Sequence, residues 1–199
     1  GAYVPQRARM RSLIPDGPLH QKEREHTVVP AHRDPETPKL LSEREDVCVF
    51  QTEPLEIDVE ITGSMIVNLW VSSDALDTDF TAKLLDVYPP STEYPEGFHL
   101  PLGDSIRRAR FRDGYDSEKF MEPGEIYLVQ IELPPVSNLF KKGHSIRLDI
   151  ASSNFPRFDV NPNTGEPIGK QTCTQIANNT LYTDAEHPSH VVLPVIPTK

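Results

Sequence analysis

Long hydrophobic runs are absent from this sequence of 199 residues. No apolar stretch approaches the roughly 20 residues that a membrane-spanning helix requires. The amino-terminal residues carry Arg7, Arg9 and Arg11 but lack the apolar core of a signal peptide. We therefore expect a soluble chain with no membrane partner, located in the cytoplasm, although no motif specifies a compartment.

Cysteine is also scarce, since the sequence contains only Cys48 and Cys173. The two residues are far apart and form no CxxC pair, which argues against both a zinc site and a disulfide framework. Free cysteine is among the most buried residue types. We expect two buried free thiols.

Basic residues are outnumbered by acidic ones, and the formal net charge is -10. A nucleic-acid partner or an anionic membrane surface would favour a basic patch. The charge therefore argues against both kinds of partner.

The usual catalytic and cofactor motifs are missing as well. A serine hydrolase of the α/β class places its nucleophile on a G-x-S-x-G turn between a strand and a helix. Here Gly143-His144-Ser145 lacks the final glycine and stands at the start of a predicted strand. HExxH, GxxxxGK[ST] and GxGxxG are also absent. We predict no catalytic residue and no cofactor in this chain.

Two groups of residues could bind a metal. His187 and His190 could hold one ion with Glu186, but Pro188 between them favours a structural turn. The acidic residues from Asp74 to Asp79 could bind calcium, but their spacing does not match an EF-hand loop. Carboxylates often cap turns, and we predict no metal site.

Proline is abundant, with 20 residues against 10 glycines. The prolines fall between hydrophobic runs, which is typical of an all-β domain with many turns. Residues 1–43 are predicted to be a Pro-rich extended arm, with short extended pieces at 8–14 and 27–29. Residues 44–199 are predicted to form one β-sandwich domain.

The clearest strand prediction covers residues 145–150. Ile146, Leu148 and Ile150 alternate with two charged residues, which places the aliphatic side chains on one face of a strand. Other strands are predicted at 47–50, 55–61, 65–71, 80–88, 106–112, 126–133, 172–182 and 191–196. No amphipathic helix is evident, and we expect an antiparallel sandwich or jelly roll.

Three further expectations concern particular segments. Residues 91–105 contain proline and glycine and are predicted to be a connection. Trp70 lies in an apolar run and is predicted to be a core residue. The basic segment 106–112 could bind a phosphate or carboxylate ligand, but on an acidic protein we favour salt bridges to neighbouring carboxylates.

The predicted strand at 145–150 leads into a loop with two aromatic residues. Aromatic residues and arginine are enriched at protein interfaces, although the rings could equally cap the core. The candidate interface residues are Phe155, Pro156, Arg157, Phe158, Asp77, Asp79 and Phe80.

Six blocks of sequence, in order, resemble one known family. The blocks are Glu53-Pro54-Leu55; Leu69-Trp70-Val71-Ser72-Ser73-Asp74-Ala75 with Asp77-Thr78-Asp79-Phe80-Thr81-Ala82-Lys83-Leu84; Glu122-Pro123-Gly124-Glu125; Ser137-Asn138 with Lys142-Gly143-His144; Ser152-Ser153-Asn154-Phe155-Pro156-Arg157-Phe158-Asp159 with Asn163-Thr164-Gly165; and Glu186-His187-Pro188-Ser189-His190. From about residue 44 to 197 the chain is similar to the C-terminal domain of the cocaine esterase / Xaa-Pro dipeptidyl-peptidase (CocE/NonD) family of serine hydrolases.

The resemblance implies a non-catalytic jelly-roll β-sandwich of the galactose-binding-domain-like type. In such enzymes an α/β-hydrolase domain carries the Ser-Asp-His triad, and the jelly roll packs on it and helps shape the substrate cleft. No triad residue has a counterpart in this chain, so we expect the isolated chain to be inactive. The segment 35–39 departs from the family pattern, which puts substrate preference in doubt.

Other functions and assemblies remain open from the sequence. A free-standing carbohydrate-binding module would use aromatic platforms, for which Tyr88, Tyr94, Phe98 and Tyr115 are the candidates. A metal-dependent enzyme would use His187 and His190. An exposed apolar face, where a hydrolase domain would dock, also predicts a homo-oligomer of the isolated chain.

Overall fold

The computed structural model describes residues 8–12, as backbone, and residues 46–197. Within these residues there are ten strands and a single short 3₁₀ helix, Ala109–Phe111. The strands are β1 Ala8–Ser12, β2 Val47–Gln51, β3 Val59–Ser73, β4 Asp79–Tyr88, β5 Phe98–Arg108, β6 Tyr127–Phe140, β7 Ser145–Ala151, β8 Ala177–Tyr182, β9 His190–Val192 and β10 Val195–Ile196. None of the helices described has the length and apolar character needed to cross a membrane.

The strands form two antiparallel sheets. The first sheet contains six strands built around β3, which pairs with β6 along one edge and with β8, β9 and β10 in succession along the other. β1 extends this sheet beyond β8. The second sheet has the order β2-β7-β4-β5. The predicted all-β sandwich is confirmed.

The core lies between the two sheets and follows the alternation of the strands. In β7, Leu148 and Ile150 belong to the buried cluster, as the sequence predicts. β4 contributes Phe80 and Leu84, and the facing strand β3 contributes Met65, each at 0% exposure. Burial of side chains from both sheets is the main source of stability in such a sandwich.

Trp70 is not a core residue, and this prediction was wrong. Leu69 and Val71 on either side of it are buried in the core cluster, so alternation turns Trp70 to the outer face of the first sheet. It is partly exposed and makes an edge-to-face contact with His187, at 5.3 Å between ring centroids. An apolar run hides which residues face outward, because it lacks the polar positions that would reveal the alternation.

Residues 91–105 are not simply a connection. Strand β5 begins at Phe98 and ends at Arg108, where the 3₁₀ helix follows. Pro101 and Gly103 are tolerated because β5 is an edge strand whose register with β4 shifts between Leu84 and Leu85. Of the predicted strand 106–112, only residues 106–108 lie in a strand, where they end β5. The prediction was wrong for Ala109–Phe111, which form the 3₁₀ helix.

The amino-terminal segment is described only in part. Strand β1 agrees with the extended piece predicted at 8–14. The extended piece predicted at 27–29 and most of the predicted arm, residues 13–43, lie outside the described residues. The division at residue 43 therefore stays a prediction.

The two ends of the sandwich are held by different polar contacts. At one end, the carboxylate of Asp86 accepts hydrogen bonds from Asn138 of the opposite sheet, at 3.2 Å, and contacts His144 Nδ1 at 2.8 Å. The other end, at the start of β4, carries a larger polar network. The ten residues of β4 separate these ends by roughly 30 Å at the usual rise per strand residue.

Candidate interaction surface at one end of the sandwich

The loop that follows β7 forms part of this end. The amides of Arg157 and Phe158 donate hydrogen bonds to the carbonyl of Asn154, at 3.0 and 3.2 Å, which closes a tight turn. The peptide bond between Phe155 and Pro156 is cis. Pro156 and Arg157 are exposed, and the rings of Phe155 and Phe158 are partly exposed. The strand therefore presents an aromatic turn to solvent.

A buried asparagine connects this loop to the start of β4. Asn161 Nδ2 donates hydrogen bonds to Asp77 Oδ2 and to Asp79 Oδ1, both at 2.9 Å. Its Oδ1 accepts the amide hydrogen of Asn163 at 2.9 Å. Because Asn161 is 3% exposed, these contacts exclude water and fix the loop to the sandwich.

Each of the two aspartates also binds an arginine. Arg108 Nε and Nη2 donate to the two carboxylate oxygens of Asp79 at 2.9 and 3.0 Å, a bidentate arrangement. Arg110 donates to Asp77 through its backbone amide and through Nε, at 2.9 and 2.8 Å. Two buried carboxylates thus face two guanidinium groups, so each of these two negative charges has a positive partner.

Burial and hydrogen bonding act in opposite directions on Asp79. Loss of solvent raises the pKa of this carboxyl group, and the hydrogen bonds from Arg108 and Asn161 oppose the rise. The same ion pair raises the pKa of Arg108. The prediction that the basic segment forms salt bridges is confirmed for Arg108 and Arg110.

Arg110 extends the network to two more segments. Its Nη1 contacts Glu118 Oε1 at 3.2 Å, and both terminal nitrogens donate to the carbonyl of Glu166. Its guanidinium lies 5.0 Å from the centroid of the Phe120 ring. One buried arginine therefore holds together the loop before β4, the segment after β5 and the long loop after β7.

A cavity of about 690 Å³ opens at this end, and we call it the end cavity. Apolar side chains make up much of its wall, with charged groups from the network and the loop at its edge. Its described lining residues are Asp79, Ile106, Arg108, Phe111, Tyr115, Arg157, Phe158, Asp159, Val160, Pro162, Ile168, Gly169 and Gln171.

Several large apolar side chains at this end are exposed. Tyr115 is 72% exposed, Ile168 52% and Phe120 43%. Gly165 adopts φ +75°, and a Cβ there would lie 3.4 Å from Leu76 Cβ and 3.5 Å from Phe120 Cε1. Glycine is favoured at this position because the backbone is left-handed, whereas the Cβ distances themselves are those of ordinary van der Waals contact.

The seven predicted interface residues divide into two sets. Phe155, Pro156, Arg157 and Phe158 are at least partly exposed. Asp77, Asp79 and Phe80 are at most 1% exposed and lie inside the domain. The buried three can act only by holding the surface in place, while the exposed four can touch a partner. That they form an interface stays a prediction.

Sequence reasoning missed Asn161 and Glu166. Glu166 accepts hydrogen bonds from the hydroxyl and amide of Thr172, at 2.7 and 3.1 Å, and these lower its pKa to about 2. Neither residue stands in a periodic pattern, and the partners of Asn161 are more than 80 residues away. No local signal in the sequence could have identified them.

The residues considered for metal binding have other contacts. His190 Nδ1 lies 2.7 Å from the carbonyl oxygen of Pro188, and its Nε2 lies 3.2 Å from Asn68 Nδ2. His187 Nδ1 is 3.3 Å from Asp184. Asp74 binds the amide and side chain of Asn178. In the part of the chain that the structure describes, no three His, Cys, Asp or Glu residues come together as a metal site.

The aromatic residues considered for carbohydrate binding separate into two places. Tyr88, Tyr94 and Phe98 form a cluster near His144, and the rings of Tyr94 and Phe98 stack at 4.9 Å. Tyr115 lies instead beside Phe111, at the end cavity. Stacking covers one face of two of the rings that a sugar would use.

The architecture is an all-β sandwich that carries a buried polar network and a cavity at one end. A family model described as the X-Pro dipeptidyl-peptidase C-terminal non-catalytic domain matches residues 7–192. The chain belongs to this family, and it is a non-catalytic C-terminal domain of the kind found in CocE/NonD hydrolases.

Individual relatives agree with this assignment. Cocaine esterase from Rhodococcus sp. (strain MB1 Bresler) is 42% identical over 164 residues, which cover 81% of this chain and 28% of that protein. An aminopeptidase from the marine sediment archaeon Thaumarchaeota archaeon superposes with a TM-score of 0.80 at 25% identity, covering 98% of this chain and 34% of the other. An alpha-amino acid ester hydrolase superposes with a TM-score of 0.79 at 29% identity and covers 98% and 33%. The chain therefore spans about a third or less of these relatives.

Proposed function

We propose that this domain docks through the end cavity on an α/β-hydrolase catalytic domain and helps to shape its substrate cleft. The parent reaction would be serine-dependent hydrolysis of an ester or amide, with the nucleophile, base and oxyanion hole outside this chain. The observation that carries the proposal is a partly apolar cavity beside a network of buried ion pairs.

The lining of the end cavity favours docking over catalysis. Its described residues include no serine, cysteine or histidine that could act as a nucleophile or base. They do include three aromatic side chains, Phe111, Tyr115 and Phe158. They also include Arg157, whose side chain is 52% exposed. Exposed aromatic and arginine side chains beside a concave apolar surface are typical of the residues that dominate binding energy at interfaces.

A chimera tests the docking proposal. The part of Rhodococcus cocaine esterase that precedes its matching segment would be joined to this chain, and hydrolysis of a p-nitrophenyl ester would be measured. We expect an active chimera in which the paired substitution Tyr115→Ser and Phe158→Ser lowers activity and thermal stability. Tyr94→Ser, at the opposite end, is the matched control and should leave the activity unchanged, although it removes the contact of Tyr94 with Phe98. A chimera that responds equally to both changes would contradict docking through the end cavity.

The isolated chain provides a second test. We expect no adduct with a fluorophosphonate probe in intact-mass spectrometry and no ester hydrolysis. One stoichiometric adduct would show an activated serine in this chain and would overturn the assignment of the chemistry to another domain.

The same surface bears on oligomeric state. We infer that the isolated chain self-associates, because the apolar residues of the end cavity are then uncovered. Light scattering across a concentration series tests this inference, and the Tyr115→Ser and Phe158→Ser pair should reduce the association. A monomer at every concentration would contradict it.

A further inference from the structure

A second cavity lies between the second sheet and the loop that follows β7, and we call it the small cavity. Its volume is about 20 Å³. The strands β4 and β7 contribute the polar residues Thr81, Lys83 and Asp149 to its wall, and the loop contributes Ser153 and Asn154. A single water molecule needs a cavity of about 10–15 Å³. The small cavity therefore has room for one molecule of that size.

Asn154 supplies an acceptor to this cavity. The residue is 4% exposed, and its Oδ1 has no hydrogen-bond partner among the described residues. Its Nδ2 donates to Asp104 Oδ2 at 2.5 Å. A carboxylate oxygen accepts but does not donate, so this contact fixes which way the amide points. Asp104 is not one of the described residues that line the small cavity, and Oδ1 is therefore the end of the amide that is left to face it.

Two hydroxyl groups complete the set of hydrogen-bonding partners. Ser153 Oγ is buried and has no partner in the part of the chain that the structure describes, so its hydrogen is available for donation. Thr81 Oγ1 donates to the carbonyl of Ala151 at 3.1 Å, which leaves its lone pairs able to accept. The small cavity thus offers one donor and two acceptors. Buried water molecules typically make about three hydrogen bonds.

The charges around the small cavity favour a neutral ligand over an ion. The ammonium group of Lys83 lines the cavity and repels a cation. The carboxylate of Asp149 also lines it and repels an anion. A water molecule is neutral and both donates and accepts hydrogen bonds, so it matches the donor and the acceptors together.

We propose that the small cavity binds one ordered water molecule, which accepts a hydrogen bond from Ser153 and donates to Asn154 and Thr81. The water connects the loop after β7 to β4 through hydrogen bonds. The carbonyl of Asn154 accepts the amide hydrogens of Arg157 and Phe158. The same water therefore stabilises the tight turn that carries the exposed residues at 155–158.

A crystal structure of the 199-residue chain tests the site directly. We expect a spherical density peak within about 3.2 Å of Ser153 Oγ, Asn154 Oδ1 and Thr81 Oγ1. Crystals soaked in rubidium or bromide should show no anomalous signal at this peak. An anomalous signal would show that the cavity binds an ion, and a cavity without a peak would show that it is dry. Either result would overturn the proposal.

The variant Ser153→Ala gives an independent measurement in solution. Removing a buried hydroxyl group that has no partner would leave the stability unchanged or raise it. If the hydroxyl binds the water, its removal should lower the folding equilibrium constant by about threefold to tenfold and speed the amide exchange of Arg157 and Phe158. Ser117→Ala, at an exposed position, is the matched control and should change neither. An equilibrium constant that Ser153→Ala leaves unchanged or raises would contradict the proposal.

Both tests are separate from that of docking, because they are made on the isolated chain. A dry cavity would leave the docking proposal standing, and a chimera that contradicts docking would leave the water site standing. If Ser153→Ala fails to fold, the crystal structure of the unaltered chain still decides.

Discussion

Replacing Arg110 by methionine removes a buried cation from the network at the end cavity. The side chain of Arg110 is 2% exposed and that of its partner Asp77 is 0% exposed. Methionine keeps much of the aliphatic volume but makes none of the guanidinium contacts to Asp77, Glu118 and the carbonyl of Glu166. The carboxylate of Asp77 would keep the hydrogen bonds from Asn161 and the Arg110 backbone amide, without a neutralising charge.

The burial of this ion pair sets the loss of unfolding free energy that we expect for Arg110→Met. Breaking a buried ion pair by removing one partner costs about 3–5 kcal/mol, because a buried charge is left uncompensated. This corresponds to a change in the unfolding equilibrium of roughly 160- to 5,000-fold, at 1.36 kcal/mol per factor of ten. Since the free energy of unfolding of a domain is about 5–15 kcal/mol, the variant should still fold, but with a much smaller free energy of unfolding.

Urea unfolding followed by the fluorescence of Trp70 measures this free energy. Lys119→Met is the matched control, because its ion pair with Asp113 is about half exposed on both sides, at 55% and 52%. Exposed pairs are worth about 0–1 kcal/mol, so this control should unfold close to the unaltered chain.

A double variant separates the lost charge from the lost packing. Asp77→Asn in the Arg110→Met background removes the uncompensated charge and should recover part of the stability. The reasoning would be refuted if Arg110→Met cost less than about 1 kcal/mol, the range of an exposed pair, or if the second substitution added its own full cost.

Three further predictions concern other parts of the domain. The carboxyl carbon of Glu166, followed by NMR, should titrate with a midpoint near 2. The stability that its hydrogen bonds provide is therefore present above about pH 4.3 and is lost as the pH falls towards 2. A midpoint at the ordinary value would refute the hydrogen bonds from Thr172. Alkylation at pH 8 with peptide mapping should modify exposed Cys173 and spare Cys48, because burial raises the pKa of Cys48 to about 11; equal rates would be inconsistent with the structure. Asp86→Ala should cost about 1.5–3 kcal/mol, because the buried carboxylate loses its contacts with Asn138 and His144 and hydrogen bonds to charged groups are worth about this much. Asp58→Ala, which breaks a half-exposed pair, should cost less than about 1 kcal/mol; similar urea midpoints would refute the distinction.

The two free cysteines show the limit of predicting burial from the average preference of a residue type. Both thiols were expected to be buried, and the structure buries Cys48 but exposes Cys173. Cys48 lies on the inner face of β2, where alternation fixes its burial, whereas Cys173 lies in an irregular loop. Average burial preferences do not determine the position of a residue in such a loop.

The sequence alone determined the all-β class, most of the core and the family. Those features depend on local alternation, turn residues and ordered motifs, all of which can be recognised along the chain. It also placed the 155–158 turn at the end of β7. These predictions succeed because each depends on neighbouring residues or on the order of motifs along the chain, and not on which residues meet in space.

Tertiary structure alone decided how the candidate interaction surface is assembled. Asn161 reaches Asp77 and Asp79 across more than 80 residues of sequence, and Arg110 joins three separate segments. Whether a given aspartate pairs with an arginine, binds calcium or caps a turn depends on which groups the fold brings within about 3 Å. Distance along the chain carries no information about such pairings, so the buried network and both cavities emerge only when the two sheets are packed together.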